Sequence, residues 1–147
     1  MTRESAAPAS GRNRNWIWPA AIAVLAVGIV LALFAQRPSP KTEMAPEIPV
    51  AAAAAMQEKG SFLLDVREPD EWAVAHIAGA TLIPLGELEK RVAEVPRDRD
   101  IVVVCRSGNR SKHGRDVLLA AGYPRVASMT GGLMAWKAEG RPTVSGP

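Results

Sequence analysis

Residues 101–111 read IVVVCRSGNRS and contain the strongest structural signal of the chain. The β-branched run at 101–105 predicts a strand buried on both faces, as in the centre of a parallel sheet. A polar loop follows at 106–110, and a helix is predicted over 111–121. The strand therefore delivers Cys105 to its carboxyl end, the edge at which open α/β sheets bind ligands.

The rest of the globular part alternates between short strands and helices. Apolar runs predict three further strands, at residues 61–66, 80–83 and 125–129. Alanine content and helical spacing predict four further helices, at 50–59, from Pro69 onward, at 86–95 and at 133–139. This order is typical of an α/β domain with a mainly parallel sheet.

The charge of the chain is uneven, and this bears on the class of partner. Residues 1–46 hold five basic and two acidic side chains, which equals the formal net charge of +3 of the whole chain. Residues 47–147 therefore sum to zero. Nucleic-acid binding needs a concentrated basic face, so we predict no nucleic-acid partner for the globular part.

Cys105 is the single cysteine of the chain. An intrachain disulfide and a multi-cysteine zinc site are therefore excluded, and we predict neither a metal nor a cofactor. Loop N–H groups, the start of the next helix, and the charges of Arg106 and Arg110 all favour a thiolate at this position. Such a thiolate is a nucleophile that needs no neighbouring general base.

The loop CRSGNRS at 105–111 resembles the active-site loop of single-domain rhodaneses, the thiosulfate sulfurtransferases. Three more motifs resemble that family in its own order: DVRE at 65–68 with Glu71-Trp72, HIAGA at 76–80, and GGL at 131–133 with Trp136. The resemblance covers about residues 47–141. Four ordered motifs are far more specific than any one of them alone.

The resemblance implies a rhodanese-like fold, with a mostly parallel five-stranded sheet flanked by helices. It implies that Cys105 takes a sulfur from a small anionic donor such as thiosulfate and holds it as a persulfide. Cyanide, a small thiol or a protein dithiol then accepts the sulfur. The substrate-binding residues would be those of the loop, namely Arg106, Ser107, Gly108, Asn109, Arg110 and Ser111.

Three polar residues outside the loop are predicted to support the site structurally. Asp65 and Arg67 suit a structural ion pair, because sulfur transfer between thiolates needs little proton traffic. A hydrogen-bonded structural role is also predicted for His76.

Two other functions compete with the sulfurtransferase. One is an interaction or sensing module of the same fold without turnover, which the presence of Cys105 and a complete loop disfavours. The other is a cysteine-dependent phosphatase or arsenate reductase. Those enzymes follow a C-x5-R pattern, whereas Arg110 lies five positions after Cys105 and gives C-x4-R. The shorter loop suits a sulfur atom better than a phosphate group.

The N-terminal part predicts a membrane anchor. An N-terminal tail at 1–15 precedes 20 uncharged residues at 16–35, which as a helix would span roughly 30 Å. The length of this run and Leu33 near its end favour a retained transmembrane helix over a cleaved signal peptide. A proline-rich linker follows at 36–46, and a C-terminal tail is placed at 142–147. Three arginines before the run against Arg37 and Lys41 after it favour an extracytoplasmic, periplasmic domain.

Overall fold

A computed structural model describes residues 44–146. Five strands are present: β1 (Glu47–Ile48), β2 (Phe62–Asp65), β3 (Thr81–Leu82), β4 (Ile101–Val104) and β5 (Val126–Met129). The helices are α1 (Val50–Glu58), α2 (Pro69–Val74), α3 (Leu85–Arg91), α4 (Asn109–Ala120) and α5 (Gly132–Ala138), with a 3-10 turn at Val92–Glu94.

The five strands form one parallel sheet in the order β1-β5-β4-β2-β3. The all-apolar β4 is the central strand, as its β-branched sequence predicts, and all four of its residues are buried. Two apolar clusters cover the two faces of the sheet. One contains Val102 and Val104, and the other contains Ile101, Val103 and Cys105. The predicted α/β class and five-stranded parallel sheet are confirmed.

The structure differs from the sequence-based elements at their ends. Helix α4 begins at Asn109, two residues before its predicted start, because Gly108 takes a left-handed conformation (φ 101°) that ends the loop early. Strand β1 was not predicted, because its two residues follow a proline-rich segment and are too few to show an alternation of apolar and polar side chains. Each of the other strands is shorter than its predicted run.

The C-terminal residues pack back onto the domain. Val144 forms an antiparallel bridge with His76, and the Gly146 N–H donates to the Ala73 carbonyl at 2.9 Å. The Trp136 indole N–H donates to the Pro142 carbonyl at 2.9 Å. Residues 142–146 therefore form a clasp over α2 and α5.

The predicted tail at 1–15, transmembrane helix at 16–35 and most of the linker at 36–46 lie outside the described residues. Among residues 44–146, no helix has the length and apolar character needed to cross a bilayer. The membrane anchor stays a prediction from the sequence.

Candidate active site

The loop between β4 and α4 wraps around the Cys105 sulfur. The Gly108 N–H donates to Sγ at 3.1 Å, and the Ser111 hydroxyl oxygen lies 3.5 Å from Sγ. Arg106 and Ser107 are exposed beside it, while Cys105 itself is 1% exposed. The sulfur thus lies at the surface end of a buried cluster with a main-chain donor aimed at it.

Helix α4 begins immediately after this loop. Asn109, Arg110 and Ser111 form its first turn, where backbone N–H groups have no carbonyl partner within the helix. The first helical bond, from the Lys112 N–H to the Gly108 carbonyl, is 3.4 Å long. A helix of 12 residues that starts here places its positive end beside the sulfur. The arrangement favours an anion at this point.

Helix α5 binds the start of the loop through backbone hydrogen bonds. The Leu133 N–H donates to the Cys105 carbonyl at 2.8 Å, and the Met134 N–H donates to the Arg106 carbonyl at 3.0 Å. With these carbonyls bound to α5, the first peptide planes of the loop are fixed. The approach requires Gly132, whose φ is +57° and whose missing Cβ would lie 2.6 Å from the Arg106 carbonyl carbon.

Gly132→Ala is expected to lower the free energy of unfolding by about 2–3 kcal/mol and to cut activity at Cys105 strongly, because the loop must shift away from α5. Urea unfolding and turnover measure the two effects. Gly140→Ala is the matched control. Gly140 also has a positive φ (+71°), but nothing lies within 4 Å of its missing Cβ. Equal losses in both variants would contradict a role for the close approach.

A buried ion pair supports the floor of the site. Arg67 Nη2 lies 2.6 Å from Asp65 Oδ2, and Arg67 Nε donates to both carboxylate oxygens at 2.9 Å. Asp65 is 0% and Arg67 3% exposed. The guanidinium also donates to the carbonyls of Glu71 (3.2 Å) and Ala75 (2.9 Å), which ties β2 to α2.

A second ion pair joins α2 to the loop helix. Arg110 donates from Nη1 and Nη2 to the two carboxylate oxygens of Glu71 at 2.6 and 2.8 Å. This hydrogen bond, together with the Glu68 N–H, lowers the pKa of Glu71 to about 2 against the opposing effect of burial. The same bond raises the pKa of Arg110. Arg110 is therefore an anchored cation beside the sulfur.

The folded chain is expected to lose about 1–2 kcal/mol of stability between about pH 5 and pH 2 through this pair alone. The pKa of Glu71 lies below its ordinary value of 4.5 in the folded state, so its contribution is complete above that value and is lost as the pH falls towards 2. Urea unfolding across this range, compared with Glu71→Gln, isolates the effect. The same slope in both proteins would assign the loss to other carboxylates.

A cleft of about 350 Å³ opens next to the loop. Its walls are apolar at Val74, Leu133 and Met134, and Arg106 and Lys137 border it. Among residues 44–146, neither of these two cations lies within ion-pair distance of a carboxylate. Asp70 also lines the cleft and has no ion-pair partner in this part of the chain. The cleft is thus a recess beside the loop in which two unpaired cations outnumber one unpaired carboxylate.

His76, which was predicted to support the site structurally, is held by its neighbours. His76 is 7% exposed, and its Nδ1 lies 3.0 Å from the Trp72 carbonyl oxygen. Its ring stacks on the Trp72 indole at 3.6 Å between centroids. Asn109 is exposed at the start of α4, and Ser111 is buried under the sulfur. Within residues 44–146, no group of three or more His, Cys, Asp or Glu side chains is arranged to hold a metal ion.

Two residues of the site have no predicted role in the sequence analysis. Ser128 of β5 is 0% exposed, and its hydroxyl lies 2.8 Å from that of Ser111. The available signal was a polar side chain inside an otherwise apolar strand. Glu71 belongs to a quoted motif, but its pairing with Arg110 crosses 39 residues of sequence and carries no local signal.

The comparisons with known proteins agree with this geometry. The sequence profile described as a rhodanese-like domain matches residues 49–139. A sulfurtransferase of Allochromatium vinosum is 41% identical over 84 residues, covering 57% of this chain and 78% of that protein. A thiosulfate sulfurtransferase GlpE of Pseudomonas fluorescens is 31% identical over 90 residues, covering 61% of this chain and 83% of that protein.

A solved structure adds to these relatives. The rhodanese-related protein of Thermoplasma volcanium superposes with a TM-score of 0.63 at 33% identity, covering 68% of this chain and 98% of that one. The profile match spans more than half of the chain, and the two relatives are matched over more than three quarters of their own length. The chain therefore belongs to the rhodanese-like domain family, of which the two relatives named above are sulfurtransferases.

Proposed function

We propose that the chain is a rhodanese-type sulfurtransferase that moves a sulfane sulfur from thiosulfate to a thiophilic acceptor through a persulfide of Cys105. The observation that carries this proposal is the Gly108 N–H bonded to Sγ at 3.1 Å, beside the unpaired first turn of α4. These donors can hold an anionic sulfur before and after loading, and they cannot be titrated away. The relatives' activity supports the same chemistry.

The reaction consists of two balanced displacements. The Cys105 thiolate attacks the outer sulfur of thiosulfate, a new S–S bond forms, and the S–S bond of the donor breaks. Sulfite leaves with that electron pair. An acceptor such as cyanide, a thiolate or a protein dithiol then attacks the outer sulfur of the persulfide, and the Cys105 thiolate leaves.

The direct test incubates the full chain with thiosulfate and cyanide and measures thiocyanate. Mass spectrometry after thiosulfate alone is expected to show one added sulfur, about 32 Da, on the peptide containing Cys105. Hydrolysis of an aryl phosphate without thiocyanate would support a phosphatase instead. Neither activity, with no mass change under several donors, would leave a non-catalytic module.

An anionic donor suits the charge of the cleft. Arg106 is exposed at its edge, and in the described part of the chain no carboxylate lies within ion-pair distance of it, although Asp70 lines the same cleft. Arg106→Ala is expected to raise the KM for thiosulfate about threefold to tenfold and to flatten its salt dependence, with little change in kcat. The exposed Arg99→Ala serves as the control of equal charge. An equal loss with an uncharged sulfane-sulfur donor, such as a dialkyl trisulfide, would show that Arg106 maintains the loop.

We also propose that residues 16–35 anchor the chain in a membrane with the catalytic domain on the extracytoplasmic, periplasmic side. The uncharged 20-residue run and the arginines that precede it support this. A topology reporter after the domain should be active only outside the cytoplasm, and the chain should resist extraction from membranes by alkaline carbonate. Release by carbonate would contradict the anchor.

A further inference from the structure

Two buried hydroxyl groups lie in series beneath the Cys105 sulfur. Ser111, in the first turn of α4, and Ser128, in β5, are both 0% exposed. The Ser111 Oγ lies 3.5 Å from Cys105 Sγ and 2.8 Å from the Ser128 Oγ. The Ser111 hydroxyl also donates to the Gly108 carbonyl at 2.9 Å. The sulfur is therefore in contact with a hydroxyl relay as well as with the Gly108 N–H.

When Cys105 is a thiol, the number of available protons fixes the direction of each hydrogen bond between the sulfur and the two serines. A serine hydroxyl has one proton to donate and two lone pairs to accept with. The Gly108 carbonyl can only accept, so the single proton of Ser111 points to it. Ser111 then accepts from the Cys105 S–H and from the Ser128 hydroxyl. Every hydrogen bond in the cluster is satisfied in this state.

Loss of the thiol proton changes the best position for the Ser111 proton. The sulfur becomes an anion with nothing to donate, and a hydroxyl bond to an anion is about twice as strong as one to a neutral carbonyl. If the Ser111 hydroxyl turns to the sulfur, the Gly108 carbonyl keeps the Lys112 N–H at 3.4 Å. Ser128 continues to donate to Ser111. The rotation leaves no buried group without a partner.

We propose that the Ser111 hydroxyl reorients to stabilise the Cys105 thiolate, and that Ser128 is the positioning residue that orients Ser111. The consequence for turnover rests on the proposed sulfur transfer. A more stable thiolate is a better leaving group when the acceptor attacks the persulfide, and a slightly weaker nucleophile when thiosulfate is attacked. Loss of Ser111 therefore slows the acceptor step more than the donor step.

Other charged groups around the sulfur are left unchanged by substitutions at these serines. They come from the loop, from α4, from the end of β2 and α2, and from α5: Arg106, Arg110, Asp65, Arg67, Glu68, Asp70, Glu71 and Lys137. The two hydroxyl groups carry no charge, so their removal alters hydrogen bonding to the sulfur without altering the charges that surround it.

The test titrates the thiolate of Cys105 in the full chain by its far-ultraviolet absorbance, with C105S as the blank. Cys105 is the single cysteine, so the difference signal belongs to it alone. In Ser111→Ala the midpoint of the titration is expected to rise by about one pH unit, which is a tenfold lower thiolate fraction below the midpoint. Ser128→Ala should shift the curve in the same direction and lower the thiolate fraction below the midpoint about threefold. Ser111→Thr keeps the hydroxyl and should keep the wild-type curve.

Tyr123→Phe is the matched control for loss of a buried hydroxyl. The Tyr123 hydroxyl donates to the Val92 and Val95 carbonyls, away from the sulfur, so this variant should lose stability and leave the titration unchanged. A Ser111→Ala curve that superposes on the wild-type curve overturns the inference. Because the titration needs no sulfur donor, that result would leave the proposed function standing. If the Ser111→Ala curve is shifted but the wild-type chain makes no thiocyanate, the proposed function is rejected and the role of Ser111 in stabilising the thiolate is kept.

Discussion

C105S is expected to form no thiocyanate from thiosulfate and cyanide, a loss of at least about a thousandfold in kcat/KM. The reason is chemical rather than structural. An alcohol oxygen at this position remains protonated at neutral pH and cannot form the S–S bond of a persulfide. The Gly108 N–H that donates to Sγ can donate to a serine oxygen in the same place. The variant should therefore fold while losing the reaction.

The circular dichroism spectrum and the urea midpoint of C105S provide the control for folding. Both are expected to stay close to those of the wild type, because Ser and Cys have nearly equal volume. Mass spectrometry after thiosulfate treatment should show no added sulfur. Thiocyanate production at the wild-type rate by folded C105S would mean that another group carries the sulfur, and the proposed mechanism would fall.

Asp65→Ala is expected to cost about 3–5 kcal/mol of stability, more than Gly132→Ala. The substitution leaves the Arg67 guanidinium buried without its carboxylate, with only the Glu71 and Ala75 carbonyls as acceptors. A domain of this size is stable by roughly 5–15 kcal/mol, so the loss takes a large share of the total. Urea unfolding measures it.

The control for this prediction is an exposed ion pair in the same domain. Glu94 bonds Arg91 through side chains that are 53% and 37% exposed, and Glu94→Ala should cost far less stability than Asp65→Ala because water screens this pair. Replacing both Asp65 and Arg67 by apolar residues should restore part of the stability, because no buried charge is then left alone. A double variant as unstable as Asp65→Ala would contradict this explanation.

The centre of the fold could be predicted from the sequence because consecutive apolar residues indicate a buried strand. The run IVVVC predicts a central strand, and β4 occupies that position with all four residues buried. The position of Cys105 at the carboxyl end of this strand follows from the same run. Burial on both faces requires apolar residues at every position, so the signal is continuous and strong.

The ends of the elements could not be predicted as well, because backbone conformation and not hydrophobicity decides them. Gly108 in the left-handed region starts α4 two residues early, and this places Asn109 and Arg110 in the helix rather than in the loop. Strand β1 has two residues and pairs with β5 at the edge of the sheet. Two residues are too few to show the alternation of apolar and polar side chains that indicates a strand.

Within the site, the nucleophile could be predicted but its partners across the fold could not. Cys105 followed from its place in the strand and loop, and the ion pair of Asp65 with Arg67 spans only two residues. Ser128 and Glu71 reach the loop from β5 and α2, over 17 and 39 residues of sequence. Contacts of this kind depend on the sheet order, which a single sequence does not encode locally.

The clasp formed by residues 142–146 affects how the chain can be tagged. Its last hydrogen bond joins Gly146 to Ala73 of α2, the helix that presents Glu71 to Arg110. A reporter or affinity tag joined directly after Pro147 would start two residues beyond Gly146, close enough to pull this bond open. A flexible spacer of roughly ten Gly and Ser residues between Pro147 and the tag would remove this load. Activity that returns when the spacer is added would identify tag strain, rather than absence of an enzyme, as the cause of a silent fusion.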